Sequence, residues 1–309
     1  MDRDGREARW FSPKRLATAL RALVIVLATP AGALAQSHAC LGRGETTRVL
    51  DEVLLAVVNP EGFENQLHLG VCTPISRRPG LLYEYTQLEA GLINYVGPIY
   101  THLGGYLSIV PLSFLELKVE VAGVAYWPLP PSAGFDGAGY FSRPAYNADY
   151  RDSALPRTDA RAAGGLDATF SATLRLAAPL GRRLQVLVFN TFGADAWFLG
   201  DGPYYFNVRR DLVLARGDVL LKNTAQLLLE VAARDAVRVR LGATDDLSYV
   251  PGSGYLANIV GFFGAVLIRR AGTLREIEPF VRAGGYTEHA FRRGFQLMIG
   301  LSMTWAWAD

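Results

Sequence analysis

Lysine is almost missing from this chain: of 31 basic residues only Lys14, Lys118 and Lys222 are lysines, and the rest are arginines. A coding bias toward arginine accounts for that, and no site follows from it. An excess of one charge is also missing. The formal net charge is +2, but the first 35 residues carry six basic and three acidic side chains. The remainder holds 25 basic and 26 acidic groups, a net of −1, so no electrostatic footprint for nucleic acid is present. Only Cys40 and Cys72 are cysteines, which leaves no Cys-x-x-Cys motif, and there is no glycine-rich phosphate loop. Four histidines at 38, 68, 102 and 289 offer no spacing that supplies three or four zinc ligands. Neither a metal nor a cofactor is therefore expected. Long apolar runs are absent too. The best candidate, residues 249–268, is broken by Pro251, Gly252, Gly254 and Asn258, and a helix needs about 20 apolar residues to cross a bilayer.

What is present is size and hydrophobicity. The 309 residues are 50% apolar, enough to build a large core or to cross a membrane repeatedly. Residues 1–35 read as a signal peptide: a basic, polar stretch, a short apolar run from Ala22 to Ala28, and Ala33-Leu34-Ala35 as the small residues before cleavage. Export would place Cys40 and Cys72 in an oxidising compartment, where they could pair or remain two buried thiols.

The mature chain alternates. Phe295, Leu297, Ile299, Leu301, Met303, Trp305 and Trp307 share one parity, with Gln296, Gly300, Ser302 and Thr304 on the other. Comparable runs occupy 115–121, 166–176, 219–230 and 237–244. Period two is the mark of a strand with two unlike faces. Runs of ten or more residues suit a tilted strand that crosses a membrane. Strands are predicted at 48–58, 66–75, 83–96, 100–110, 115–127, 164–177, 183–197, 217–231, 236–248, 256–268, 276–287 and 294–307. Twelve is an even count, as single-chain barrels in bacteria have. The connections then alternate between short turns on one side and long ones on the other, the longest being 128–163 and 198–216. Residues 204–215 are treated as loop, because counting them as a strand would exchange the two sides midway. Tyr95, Tyr100, Tyr126, Trp127, Trp197, Tyr249, Tyr255 and Tyr286 fall near one rim, where amphipathic rings favour the membrane interface.

On these residues the chain resembles the Gram-negative outer-membrane β-barrel proteins. The final strand, Phe295 to Trp307, is similar to the C-terminal signal that the barrel assembly machinery reads in that class, although Ala308 and Asp309 follow the last aromatic residue. The resemblance implies an all-β, closed, antiparallel transmembrane barrel over 48–309, with short periplasmic turns, long extracellular loops and a periplasmic N-terminal segment at 36–47. It also implies a place in the outer membrane, with lipid and the assembly machinery as partners.

Function must then come from the inward face. Parity assigns Glu89, Glu116, Lys118, Glu120, Asp167, Arg175, Lys222, Glu230, Arg238, Arg240, Glu276, Glu278 and Arg282 to the lumen, since a charge held in lipid at mid-depth costs roughly 2–4 kcal/mol. A wall of both signs suits a narrow channel for small polar or charged solutes. The alternative is a closed structural or surface-interaction barrel in which the charges neutralise one another. A lipid hydrolase is the third reading, but no His-x-Ser pair of the outer-membrane phospholipase kind occurs. His68, His102 and His289 fall in the outer half and are expected to be solvated. Loops 128–163 and 198–216 could either project outward or fold into the mouth.

Overall fold

A computed structural model describes residues 40, 45–59, 62–76, 82–83, 86–127, 140–141, 160–199, 204–207, 209, 211–289 and 292–308. Residues 1–35, expected to be a signal peptide, and most of connection 128–163 lie outside the described residues.

The alternating segments are strands: β1 Thr47–Val58, β2 Gly62–Pro74, β3 Gln87–Gly97, β4 Tyr100–Leu112, β5 Leu115–Tyr126, β6 Ala163–Pro179, β7 Leu184–Leu199, β8 Val219–Arg234, β9 Val237–Val250, β10 Tyr255–Arg269, β11 Leu274–Glu288 and β12 Phe295–Ala308. Each pairs antiparallel with its neighbours in the chain, and β1 pairs with β12 from Thr47↔Ala308 to Val58↔Leu297, which closes the sheet into a barrel. Closure leaves no strand edge unpaired, as hydrocarbon surroundings require. The twelve predicted strands are all present, with ends displaced by a few residues.

At the end where Thr47 and Ala308 lie, the connections are 75–86, 113–114, 180–183, 235–236 and 270–273. At the opposite end, here the loop end, they are 59–61, 98–99, 127–162, 200–218, 251–254 and 289–294. The tight turn after β1 uses Asn59 at φ 58°, a left-handed conformation that asparagine adopts more readily than most residues. Its Nδ2 donates to the carbonyls of Arg293 and Phe295 at 3.1 and 2.9 Å, tying the first turn to the start of the last strand.

Outward positions are apolar and exposed: Leu92, Leu103 and Leu227 are 60, 62 and 57% accessible. Contiguous apolar surface around a whole barrel has no place in water; it matches the lipid-facing band of a transmembrane barrel. Some outward positions are polar and bond to each other. Asn190 and Asn223 exchange side-chain amide bonds at 3.2 Å each way, and Asn65 Nδ2 donates to Glu52 at 3.0 Å.

Candidate functional site: the inward face and its mouth

All thirteen charged residues assigned by parity are buried or half-buried, and each lies against inward neighbours. Glu230 is fully buried and receives Arg240 Nε at 2.8 Å and Arg238 Nη1 at 3.2 Å, with Gln185 Nε2 at 2.6 Å. Arg240 continues to Glu278 at 2.8 Å, and Arg269 reaches Glu276 at 3.2 Å. Arg175 pairs with Glu116, Arg282 with Asp246, and Lys222 with Asp195, the last at 2.8 Å. Glu89 accepts the Tyr106 hydroxyl. Lys118 and Glu120 pair with each other and close on His68, whose Nε2 is 3.1 Å from Lys118 Nζ and 3.4 Å from Glu120 Oε1. Asp167 Oδ2 lies 3.5 Å from His102 Nδ1. The opposite signs are therefore matched locally, on one strand or between strands one or two places apart in the ring, instead of being segregated to two walls.

Two of the histidines correct the expectation from sequence. His102 is completely buried, with the rings of Tyr100, Trp197, Tyr95 and Tyr126 at 5.5, 5.3, 6.1 and 6.3 Å between centroids. His289 is buried in connection 289–294. The rim aromatics are corrected with them. Tyr95, Tyr100, Tyr126 and Trp197 share the inward parity of His102 and are almost inaccessible, so they fill the lumen near the loop end rather than girdle the outside. Trp127 and Tyr249 are exposed. The physical reason is that proximity to a rim fixes height only, whereas parity fixes the side.

The mouth at the loop end is occupied. Within 200–218, Tyr204–Asn207 pairs with Leu212–Ala215 as a separate hairpin outside the barrel sheet. Its turn carries Arg209 and Asp211, the latter at φ 54°. Arg209 Nε donates to Glu64 Oε2 at 2.9 Å and its Nη2 to Oε1 at 3.2 Å, while the guanidinium lies 4.3 Å from the centre of the Tyr95 ring. The Tyr100 hydroxyl donates to the same carboxylate. Asp211 accepts Arg292 Nε at 2.7 Å and Nη2 at 2.9 Å, and His289 Nε2 is 3.4 Å away. Burial, followed by the Arg292 charge, pushes the His289 imidazole down to about 4. The hairpin is rooted between β7 and β8, and β2 is six places from β8 around the twelve-strand ring. The Arg209–Glu64 pair therefore spans the lumen from one wall to the opposite one.

Towards the terminal end the interior opens into a cavity of about 290 Å³ between β6 and β12, lined among others by Arg175, Phe189, Thr191, Gln226, Arg240, Glu278 and Ser302. On the β1–β2 side of that end, Cys40 and Cys72 form a disulfide with Cα atoms 5.6 Å apart. Cys72 shares the inward parity of Glu64 and His68 and packs with Val49 and Cys40. The bridge thus ties the chain before β1 to the inner wall.

Glu64, Arg209, Asp211 and Arg292 were not among the predicted residues. Glu64 has the parity of His68 and is detectable once β2 is begun at Gly62 rather than at residue 66. Arg209 and Asp211 lie in a connection with no period to read. Among the described residues no group of three His, Cys, Asp or Glu could hold a metal ion.

Fold and inward face together define a transmembrane β-barrel protein with a polar, ion-paired interior and a loop across one mouth. No known protein family and no curated protein matches the chain. Among solved structures it is similar to the translocator domain of autotransporter NalP from Neisseria meningitidis, at 10% identity over 97% of this chain and 99% of that one, with a TM-score of 0.44. The CymD monoaromatic hydrocarbon channel follows at 9% identity, 86 and 88% coverage and a TM-score of 0.32, and the NanC porin at 7%, 82 and 98%, and 0.34. Likeness at this level assigns no activity, and the fold statement rests on the strand pairing.

Proposed function

We propose that the protein resides in the outer membrane of a Gram-negative bacterium, with its loop end outside, and that it passes small polar solutes through a lumen stoppered by the 204–215 hairpin. One observation carries this reading. The obstruction at the mouth combines the strand-borne rings around His102 with loop side chains held by ion pairs, above a polar interior that retains a cavity of about 290 Å³. A barrel sealed for stability alone would be filled by strand residues along its whole length, as the small eight-stranded barrels are. A stopper borne on a loop can leave without breaking the sheet, and loops are where low-cost opening concentrates.

Planar-bilayer recording on refolded protein tests it. Wild type is expected to show rare, brief openings, and a variant with 204–215 replaced by a short turn is expected to show long-lived steps. Arg238→Glu or Arg240→Glu should move the ion preference of those steps toward cations. Silence from both the wild type and the deletion, with the barrel shown to be folded, overturns the channel and leaves the closed structural barrel.

A further inference from the structure

We propose that the cavity near the terminal end is a binding site for an uncharged, polyhydroxylated solute of about monosaccharide size. The inference deepens the passage reading and rests on it for its biological sense, though not for its measurement.

The charges facing the cavity argue for a neutral occupant. Arg240 is engaged on two sides, by Glu230 at 2.8 Å and by Glu278 at 2.8 Å, and Arg175 is held by Glu116. An incoming anion or cation would lose its hydration and find every opposite charge already paired, which leaves a desolvation cost with little return. A hydroxyl group meets a different surface. An ionised carboxylate has about four acceptor positions, and a guanidinium five donors, so paired groups keep sites that a polyol can use without breaking the pair.

The cavity also holds polar groups that nothing else satisfies. Neither the Gln226 amide nor the Ser302 hydroxyl has a side-chain partner among the described residues, although both line the space. Gln226 projects from β8 and Ser302 from β12, so the two stand on different parts of the wall. Thr191 adds a hydroxyl already engaged with Thr173 at 3.0 Å, able to offer its second lone pair. Phe189 supplies an aromatic surface in the lining, against which the C–H edges of a sugar ring can pack. A few placed polar groups with an apolar wall is the usual make-up of a small-molecule site, and about 290 Å³ stands just below the usual range of roughly 300–1,000 Å³. One six-carbon polyol fits that space better than an oligosaccharide.

The test is equilibrium binding to refolded protein in detergent micelles, with D-glucose as the neutral probe and L-glutamate and L-arginine as charged probes of similar size. Saturable glucose binding is expected, with at least tenfold weaker binding of both charged probes. Gln226→Leu and Ser302→Val, placed on separate strands so that both need not misfold together, should each weaken glucose binding about tenfold while keeping folded-barrel migration on unboiled gels. Charged probes binding as tightly as glucose, no saturable glucose binding, or glucose binding indifferent to both variants would each overturn the site. Glucose release from proteoliposomes is measured separately. Binding without release defeats passage and leaves the site standing; release without saturable binding does the reverse.

Discussion

Arg209, at the tip of a loop hairpin, grips Glu64 on the opposite wall of the barrel through two guanidinium nitrogens at 2.9 and 3.2 Å, and it rests on the face of Tyr95. Both side chains are about nine-tenths buried. Bidentate geometry with a stacked ring is the arrangement in which arginine is least replaceable by lysine. Removing one partner of a buried pair typically costs about 3–5 kcal/mol, because the other charge is left uncompensated. Arg209→Ala should therefore raise the open fraction in bilayer recordings strongly. Glu64→Gln should do the same, and the double variant should add little to either. Full additivity of the two would show that they are not coupled through each other.

On the other side of the hairpin, His289 is expected to make the proposed stopper respond to pH. Its imidazole is pushed down to about 4 in the closed arrangement, against about 6.5 when solvated. The released state thus binds the proton more readily, so the closed state is fully favoured above pH 6.5 and weakened as pH falls toward 4. Openings should become more frequent across that interval. In His289→Asn the dependence over the same interval should flatten; an unchanged profile would assign it to another group.

Glu230 is fully buried between Arg238 and Arg240, with Gln185 as a further donor. Glu230→Ala leaves two guanidinium groups without this partner, and a loss of about 3–5 kcal/mol is expected. Its unboiled form should lose barrel migration at a clearly lower temperature than wild type. A melting temperature equal to wild type would mean that water in the lumen compensates the arginines.

Neighbouring positions on β8 separate the two faces. Leu227 points outward and is 57% accessible, while Gln226 faces the cavity. Leu227→Arg should make folding into vesicles less favourable by roughly 2–4 kcal/mol if it lies near mid-depth. Gln226→Arg should change it much less. Equal effects would contradict the assignment of lipid and lumen to opposite parities.

The Cys40–Cys72 bridge closes a sequence separation of 32 residues. Chain-entropy arguments give such a loop about 3–4 kcal/mol of stabilisation. Intact protein should take up no maleimide, and after reduction it should take up two. Reduction or Cys40→Ser should also lower the unfolding temperature. A reduced barrel that unfolds at the wild-type temperature would show the bridge to be a tether for the N-terminal segment alone.

Much of this architecture is legible in residue order. Alternation from Phe295 to Trp307 or from Leu166 to Leu176 fixes the strand and its two faces, because successive side chains point to opposite sides of a pleated chain whatever it pairs with. The inward charges follow from the same parity. The two cysteines could be named but not joined, since their approach depends on how the segment before β1 returns to the wall.

The sequence by itself therefore determined the strands, their number and which side chains share a face, all of them consequences of local backbone geometry. Only the tertiary structure decided that Tyr95, Tyr100, Tyr126 and Trp197 line the inside around His102, that the opposite charges cancel in pairs, and that a hairpin crosses the mouth. Arg209 and Glu64 are 145 residues apart in the chain. No local period links such positions; they meet because closure of the twelve-strand ring places β2 opposite β8, and ring closure is a property of the whole sheet.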